Sequence, residues 1–202
     1  MTCGPTWVAI DKVRVISNTS SGELGHLIAD ALHKEGAKVT LLEGPVTHIL
    51  KTKPSRLIKF FFYDEFSKLL QVEAKNNYDV IIHAAAVSDY RASNTYGSKL
   101  SSEFSQLRIN LIPTEKLIDK IKKIAPQTFL VGFKLEADVE KEQLILKAAH
   151  LIKKTGCDLA VANCKGDHYC GFIINAKKEI LAEHATKKEI AKSLITLLKE
   201  RL

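Results

Sequence analysis

Several features common in other protein classes are missing from this 202-residue sequence. No run of about 18 apolar residues is present, so no membrane span is predicted, and there is no internal repeat or low-complexity linker. The N-terminus lacks the basic and apolar segments of a secretory signal, so we expect a cytoplasmic protein. In that compartment Cys3, Cys157, Cys164 and Cys170 are expected to be reduced thiols. The spacing of the last two with His168 matches no zinc motif, so no protein metal site is predicted.

Aromatic residues are scarce, at 7% of the chain, and they do not alternate with lysines as base-stacking platforms do. The formal net charge is +7, which indicates an anionic partner, either a nucleic acid or a phosphorylated metabolite. Charge alone does not choose between them. The lysines are spread over predicted helices, where solvated faces are the favoured interpretation and no nucleic-acid partner is predicted. They include Lys120, Lys122, Lys123, Lys153, Lys154, Lys187 and Lys188.

Hydrophobic periodicity changes repeatedly between strand and helix along the chain. Strands are predicted at residues 38–42, 57–62, 78–84, 107–112, 128–133 and 158–162. Helices are predicted at 23–33, 64–76, 114–124, 138–155 and 186–202, and a closing hairpin at 172–175 and 179–182. This alternation predicts an α/β fold with a doubly wound, Rossmann-like, mostly parallel sheet, helices on both faces and a small β hairpin.

The stretch RVISNTSSGELG, residues 14–25, leads into the first predicted helix. Two interpretations remain open from the local sequence. Ser20 or Ser21 can cap the helix by accepting a backbone hydrogen bond, which is worth about 1 kcal/mol. The same helix N-terminus can hold an anion, since it carries unpaired N–H groups and positive partial charge. Arg14 and Asn18 would then add a charged fork and an amide.

A nicotinamide-dependent oxidoreductase is a weak alternative. No G-x-G-x-x-G precedes the first helix, and no Tyr-x-x-x-Lys pair occurs. Glu43 follows Gly22 by about 20 residues, where a ribose-binding acid would sit, although the favoured interpretation is that it ends an exposed strand.

A second candidate region is HAAAVSDYR, residues 83–91. Three alanines at a strand end leave room for a flat ligand, and Asp89 can bind a ribose, a base or a metal. His83 is interpreted as a core histidine rather than a base. The polar segment at residues 88–105 is long for a loop within a compact domain, which is typical of functional or mobile loops.

Ordered motifs extend along essentially the whole chain. They are Gly4-Pro5-Thr6, Ile10-Asp11, Val13-Arg14, Ile16-Ser17-Asn18, Ser20-Ser21-Gly22 with Gly25, residues 85–91 (AAVSDYR), Lys99, Pro113-Thr114, Val131-Gly132-Phe133 and residues 158–163 (DLAVAN). Through them the sequence resembles the stand-alone bacterial form of phosphopantothenate-cysteine ligase, also called phosphopantothenoylcysteine synthetase, of coenzyme A biosynthesis.

The resemblance implies one ligase domain over residues 1–202 with a flap segment at about residues 88–105. It implies that 4'-phosphopantothenate is activated by a nucleoside triphosphate, CTP rather than ATP, to an acyl nucleotide with release of pyrophosphate. The amine of L-cysteine then displaces the nucleotide. Mg²⁺ is expected on the triphosphate, and a homodimer is implied.

Site residues are implied by the same resemblance. Those for the phosphopantothenoyl substrate are Arg14, Asn18, Ser21, Gly22 and Ala86. Those for the nucleotide are Gly4, Ala85, Asp89, Lys99 and Phe133. Two have catalytic roles: Asn18 favours breakdown of the acyl nucleotide, and Lys99, in the flap segment, reaches the triphosphate.

Three departures from the family pattern leave a further alternative open. Lys99-Leu100-Ser101-Ser102 keeps only the first lysine of the family's flap motif, Cys164 stands where the family has aspartate, and Trp7 replaces a polar residue. The reduced flap motif, together with the start of the chain directly before Thr2-Cys3, makes a non-catalytic or regulatory homologue the second hypothesis.

Overall fold

The computed structural model describes residues 1–165 and 168–201. Within these residues the helices are α1 (Glu23–Lys34), α2 (Tyr63–Glu73), α3 (Ile118–Ile124), α4 (Lys141–Thr155) and α5 (Lys187–Lys199). The main sheet contains β1 (Thr2–Cys3), β4 (Thr40–Glu43), β5 (Arg56–Lys59), β6 (Val80–His83), β9 (Phe129–Ala137), β10 (Leu159–Lys165), β11 (Cys170–Asn175) and β12 (Ile180–His184). Two ribbons lie outside it: β2 (Trp7–Ala9) with β3 (Val15–Ser17), and β7 (Tyr90–Ala92) with β8 (Leu111–Pro113).

The main sheet has the strand order β12-β11-β10-β9-β6-β1-β4-β5. Pairing is parallel from β5 to β10 and antiparallel between β10, β11 and β12. From β1 the chain proceeds to β4 and β5 on one side and then to β6, β9 and β10 on the other. The switch point therefore lies between β1 and β6, where open α/β sheets bind their ligands. The predicted doubly wound, mostly parallel fold is confirmed.

Apolar side chains cover both faces of the sheet. One face packs against α1 and α5 through residues such as Ile28, Ile82, Val161 and Leu194. The other packs against α2, α3 and α4, with Phe66, Leu117, Ile121, Leu144 and Ala148 in its core. The central strands are thus buried on both sides, as their nearly continuous apolar sequences indicate. None of the helices in the described ranges is long and apolar enough to cross a membrane.

Some element boundaries differ from those predicted. The strand predicted at residues 57–62 ends at Lys59, and the one predicted at 107–112 is reduced to β8. The predicted terminal helix ends at Lys199, and Leu202 lies outside the described residues. The strands of the two ribbons have only three residues each, which is too short for hydrophobic periodicity to reveal them.

The expectation of four reduced cysteines is wrong for one pair. Cys164 and Cys170 lie opposite each other on the antiparallel strands β10 and β11 and form a disulfide. Cys3 and Cys157 are buried thiols. The sequence separation of six residues between the paired cysteines gives no sign of this, because the antiparallel register brings them together.

Candidate functional site

An open cleft of about 940 Å³ lies at the carboxyl ends of the parallel strands, above the switch point between β1 and β6. Cys3 and His83, the last residues of these two strands, belong to its floor. One wall is formed by residues 18–25, which we call the serine wall. The opposite wall, which we call the lysine wall, consists of Lys134 in the second half of β9 and of Lys147, His150 and Lys154 on α4.

The serine wall ends at the first turn of α1. Its N-cap residue is Gly22, with φ of 78°, rather than either predicted serine. Ser21 nevertheless accepts a hydrogen bond from the Glu23 N–H at 3.3 Å. The first intrahelical bond runs from the His26 N–H to the Gly22 carbonyl, so earlier N–H groups of the turn remain able to bind an anion. A side chain at Gly22 would lie 2.3 Å from Val46, so only glycine fits.

Asn18 connects the serine wall to the loop after β6. Its side-chain Nδ2 donates to the carbonyl oxygens of Ala86 and Val87, at 3.1 and 3.2 Å. The amide is exposed and lines the cleft. Because Nδ2 is held in this way, the orientation of the whole carboxamide is set by the loop carrying the three alanines.

The loop after β6, residues 84–88, which we call the alanine loop, is held from several sides. The Thr2 hydroxyl accepts from the Ala85 N–H, and the Ala86 N–H donates to the Gly4 carbonyl. Thr6 accepts from the Ser88 N–H at 2.9 Å through its hydroxyl oxygen, and the Thr114 hydroxyl donates to the Ser88 carbonyl. Gly4 thus supports the loop from beneath, although it does not line the cleft itself.

The lysines of the lysine wall form weak, exposed ion pairs with neighbouring carboxylates. Lys134 and Lys147 both contact Glu136, at 2.8 and 2.6 Å, and these hydrogen bonds hold the pKa of Glu136 below its usual value. Lys154 contacts Asp119 at 3.0 Å. Ion pairs this exposed contribute about 0–1 kcal/mol each. A polyanion in the cleft can therefore replace the carboxylates at little cost.

Charge within the cleft is positive on balance. Among the described lining residues there are six lysines and four carboxylates. Each carboxylate has a lysine partner: Glu23 with Lys187, Asp89 with Lys116, Glu115 with Lys120, and Asp119 with Lys154. The sequence interpretation of the lysines as solvated helix faces is incomplete, because Lys154 and Lys187 line the cleft.

Seven of the sequence-predicted site residues line the cleft together. They are Asn18, Ser21, Gly22, Ala85, Ala86, Asp89 and Phe133. Phe133 is the middle residue of β9, next to Lys134. Asp89 is exposed and paired with Lys116. The three that fall outside the lining are Gly4, Arg14 and Lys99.

Arg14 and the flap segment meet at the turn of the β2–β3 ribbon. The buried carboxylate of Asp11 accepts from the N–H groups of Val13, Arg14 and Leu100, at 2.7, 2.7 and 3.1 Å. The Arg14 guanidinium contacts Asp11 and donates to the Leu100 carbonyl. We call this group, Asp11, Arg14 and Leu100, the latch. Arg14 thus holds the flap segment here, and Lys99 is the exposed residue next to the latched one.

The open alternatives for two other residues are resolved by burial. His83 is buried, and burial lowers its pKa to about 4, so it is a neutral core histidine at physiological pH, as favoured. Glu43 is also buried and is bonded to His26 at 2.8 Å. It is therefore neither a ribose-binding acid in the cleft nor the end of an exposed strand.

The residues that sequence reasoning missed are mainly on α4. Lys147, His150 and Lys154 have the spacing of one helix face, and α4 packs behind β9. This spacing could have indicated a shared binding surface, but a charged helix face is equally typical of one exposed to solvent. Tyr169, which donates to Asn163 at 2.5 Å, also lines the cleft and was not foreseen.

Comparison with known proteins assigns the family. The model of the DNA/pantothenate metabolism flavoprotein C-terminal domain family matches residues 1–201. The chain belongs to this family. The resemblance drawn from the sequence motifs is thereby confirmed.

Individual relatives agree with this assignment. Over 166 residues the chain is 39% identical to the coenzyme A biosynthesis bifunctional protein CoaBC of Thermococcus kodakarensis, covering 81% of this chain and 40% of that protein. The CoaBC of Methanocaldococcus jannaschii is 31% identical over 204 residues, covering 98% and 49%. The chain spans about half the length of the curated relatives it matches.

A solved structure shares the fold over its whole length. The DNA/pantothenate metabolism flavoprotein from Streptococcus pneumoniae superposes with a TM-score of 0.89 at 27% identity, covering 100% of this chain and 97% of that one. The arrangement of strands around the cleft is therefore that of a known member of the family.

Proposed function

We propose that this chain is a ligase that joins 4'-phosphopantothenate to L-cysteine through an acyl-nucleotide intermediate, with CTP favoured over ATP, and that residues 1–202 act as one domain. The observation that carries the proposal is the pairing of two unlike walls across one cleft. The serine wall presents Asn18 and helix N–H groups, and the lysine wall presents cations. Family membership and the CoaBC relatives support the same function.

The chemistry explains why two walls are needed. A carboxylate becomes a good acyl donor only as a mixed anhydride, so its oxygen attacks the α-phosphorus of the triphosphate and pyrophosphate leaves. The cysteine amine then attacks the acyl carbon, the nucleoside monophosphate leaves, and the amine loses a proton. The first step brings together negative charges, which cations must offset. The second develops charge on one carbonyl oxygen, which hydrogen-bond donors stabilise.

The serine wall suits the phosphopantothenoyl part. Asn18 is oriented by the two carbonyl groups of the alanine loop, and we assign its fixed carboxamide to the activated carboxyl. Ser21 and the turn at Gly22 provide neutral donors nearby. A fixed dipole at the acyl centre accelerates breakdown of the anhydride without reorganising during the reaction.

The nucleotide is assigned to the other side of the cleft. Phe133 offers an apolar surface to a base, and Ala85 leaves backbone space beside it. Asp89 can turn from Lys116 to a ribose or base. The lysine wall would then hold the phosphates, with Lys99 approaching as the flap segment moves. Because the latch holds the flap segment at Leu100, the flap segment can move together with the turn of the β2–β3 ribbon.

Mg²⁺ would enter with the triphosphate. The described carboxylates of the cleft are each paired with a lysine, so they form no preorganised oxygen cage of the kind that a resident cation requires. They fit a cation whose ligands are mainly phosphate oxygens and water. Such an ion would neutralise charge on the triphosphate.

We also propose a homodimer that uses the aromatic surface around the β2–β3 ribbon. Trp7 packs against Phe61 and Phe62, which are 45% and 43% exposed. Leu111 and Ile112 on the second ribbon are also exposed. Apolar clusters of this kind mark interaction surfaces. Light scattering should give twice the monomer mass, and Phe61→Ser/Phe62→Ser should reduce it to the monomer mass.

The ligase proposal is tested by one assay. The protein is incubated with 4'-phosphopantothenate, Mg²⁺ and either CTP or ATP, with and without L-cysteine, and pyrophosphate and amide product are measured. We expect pyrophosphate both with and without cysteine, and amide product only when cysteine is present. The nucleotide that gives the faster release of pyrophosphate is the preferred one. Absence of pyrophosphate with either nucleotide, in protein that still binds 4'-phosphopantothenate, would favour the non-catalytic homologue.

A further inference from the structure

A second group of reactive side chains lies beneath the cleft, between β1, β4 and α1. In the described ranges, Cys3, His26 and Glu43 form a group whose Sγ, imidazole nitrogen and carboxylate oxygen all lie within 4.8 Å of one another. All three residues are buried, with 1%, 1% and 6% of their surface exposed. Buried polar groups are costly unless they are paired or bind a metal, and the proposed ligase reaction uses none of these three side chains.

The backbone directs these side chains to one point. Cys3 and Glu43 are register partners on the neighbouring parallel strands β1 and β4, so their side chains leave the same face of the sheet. Helix α1 crosses that face closely, since a Cβ at Gly25 would be 2.3 Å from the Cβ of Cys3. His26, the next residue, is therefore brought against both.

The surroundings of His26 and Glu43 match those of metal ligands. His26 Nε2 faces Glu43 Oε1 at 2.8 Å, and its Nδ1 lies 3.1 Å from Nδ1 of His48. The second carboxylate oxygen of Glu43 lies 3.9 Å from the Lys59 ammonium. Ligating histidines and carboxylates characteristically have outer partners that orient them, as His48 and Lys59 do here. The contact between His26 and Glu43 joins two proposed ligands, and the cation would replace it.

A thiol nucleophile is the rival interpretation, because cysteine, histidine and glutamate also form catalytic triads. Burial and the nearby Glu43 raise the pKa of Cys3 to about 12, so the thiol is not activated. Neither ring nitrogen of His26 is hydrogen-bonded to the Cys3 sulfur, since Nε2 faces Glu43 and Nδ1 faces His48. The arrangement thus lacks the thiol–imidazole pair that a triad requires.

We propose that Cys3, His26 and Glu43 bind a zinc-class divalent cation that joins the ends of β1 and β4 to α1 beneath the cleft. One sulfur, one nitrogen and one oxygen donor suit Zn²⁺. Cys3 also borders the cleft, from which a water molecule can supply the fourth ligand. Binding releases the thiol proton, so affinity rises with pH. The ion would stabilise the floor on which the serine wall rests.

The test uses Co²⁺ as a spectroscopic probe and Zn²⁺ for stability. Purified metal-free protein titrated with Co²⁺ should show the near-ultraviolet thiolate-to-cobalt band, saturating at one equivalent, and Zn²⁺ should displace it. The band should be lost in Cys3→Ala. It should persist in Cys157→Ala, which removes the other buried thiol, and in Cys164→Ser/Cys170→Ser, which removes the disulfide pair.

Two further measurements keep the test independent of any folding defect. Zn²⁺ should raise the thermal midpoint of the wild-type chain by several degrees and leave folded Cys3→Ala unchanged. His48→Ala keeps all three ligands and should weaken Zn²⁺ binding by about 10- to 100-fold. Absence of the cobalt band in the wild type, or an equal band in folded Cys3→Ala, would overturn the proposal.

Discussion

The serine wall and the lysine wall face each other across one cleft but are built in opposite ways. The serine wall is fixed by close packing, with Gly22 against Val46 and Asn18 bonded to two carbonyl groups. The lysine wall is exposed, and its long side chains exchange partners at little cost. A rigid dipole suits one acyl centre, whereas mobile cations suit a flexible polyanion. The comparison therefore predicts that substitutions in the two walls affect different steps.

Asn18→Ala should produce the largest effect. Removing the carboxamide, which ties the loop after β6 to the serine wall through two hydrogen bonds, is expected to slow amide formation by about 10²-fold, as a misplacement of about 1 Å at a reacting centre does. Pyrophosphate release should continue, because the cations of the opposite wall remain. A quenched-flow assay of both products measures this, with the exposed Asn110→Ala as control. Unimpaired amide formation would contradict the proposed role.

Gly22→Ala should test whether the serine wall is rigid. The left-handed φ of 78° and a Cβ placed 2.3 Å from Val46 both oppose any side chain, so we expect a loss of about 2–5 kcal/mol in the free energy of unfolding. Gly36→Ala is the matched control, because its φ is 81° but nothing lies within 4 Å. It should lose about 1–2 kcal/mol. If urea denaturation gave the same loss of unfolding free energy for both variants, the serine wall would not be rigid at Gly22.

Lys154→Gln should test the lysine wall. The loss of one charge-assisted phosphate contact, worth about 1.5 kcal/mol, should raise the KM for the nucleotide by about 10-fold with little change in kcat. Lys153→Gln changes the neighbouring exposed residue of α4, which is outside the cleft lining, and should leave KM unchanged. If both variants behave alike, the wall acts only through its general charge.

Asp11→Asn should have the smallest effect, because it acts through the latch. An amide cannot accept all three N–H groups, so the flap segment should loosen and trypsin should cleave after Lys99 a few-fold faster. The exposed Asp64→Asn is the control. An unchanged rate of cleavage in a folded variant would show that the latch does not restrain the flap segment.

The latch should also depend on pH in a defined direction. Hydrogen bonds from the N–H groups of Leu100, Val13 and Arg14 hold the pKa of Asp11 below its usual value. The stabilisation that the Asp11 carboxylate gives to the folded state is therefore complete above the pKa of an unfolded aspartate. It is lost as the pH falls through the lowered pKa of Asp11 in the folded protein. The hydrogen-exchange protection factor of the Leu100 N–H, which corrects the rate for its intrinsic pH dependence, should accordingly fall only in acid.

The residues recoverable from the sequence are those whose roles depend on local pattern. Val80 to His83 reads as a buried strand, and HAAAVSD after it reads as a strand-end loop, because a doubly covered strand needs no alternation. Arg14 differs. Its motif position suggested a ligand, but its side chain contacts Asp11 and Leu100, and the latter is 86 residues away in the chain.

By itself, the sequence determined the alternation of strands and helices, the placement of small polar residues before α1, and the family. These follow from periodicity and short motifs, which act over a few residues. Only the tertiary structure decided that α4 lysines face Asn18 across the cleft, that Cys164 pairs with Cys170, and that Cys3, His26 and Glu43 converge. Those contacts depend on sheet register and helix docking, which join side chains that no local pattern connects.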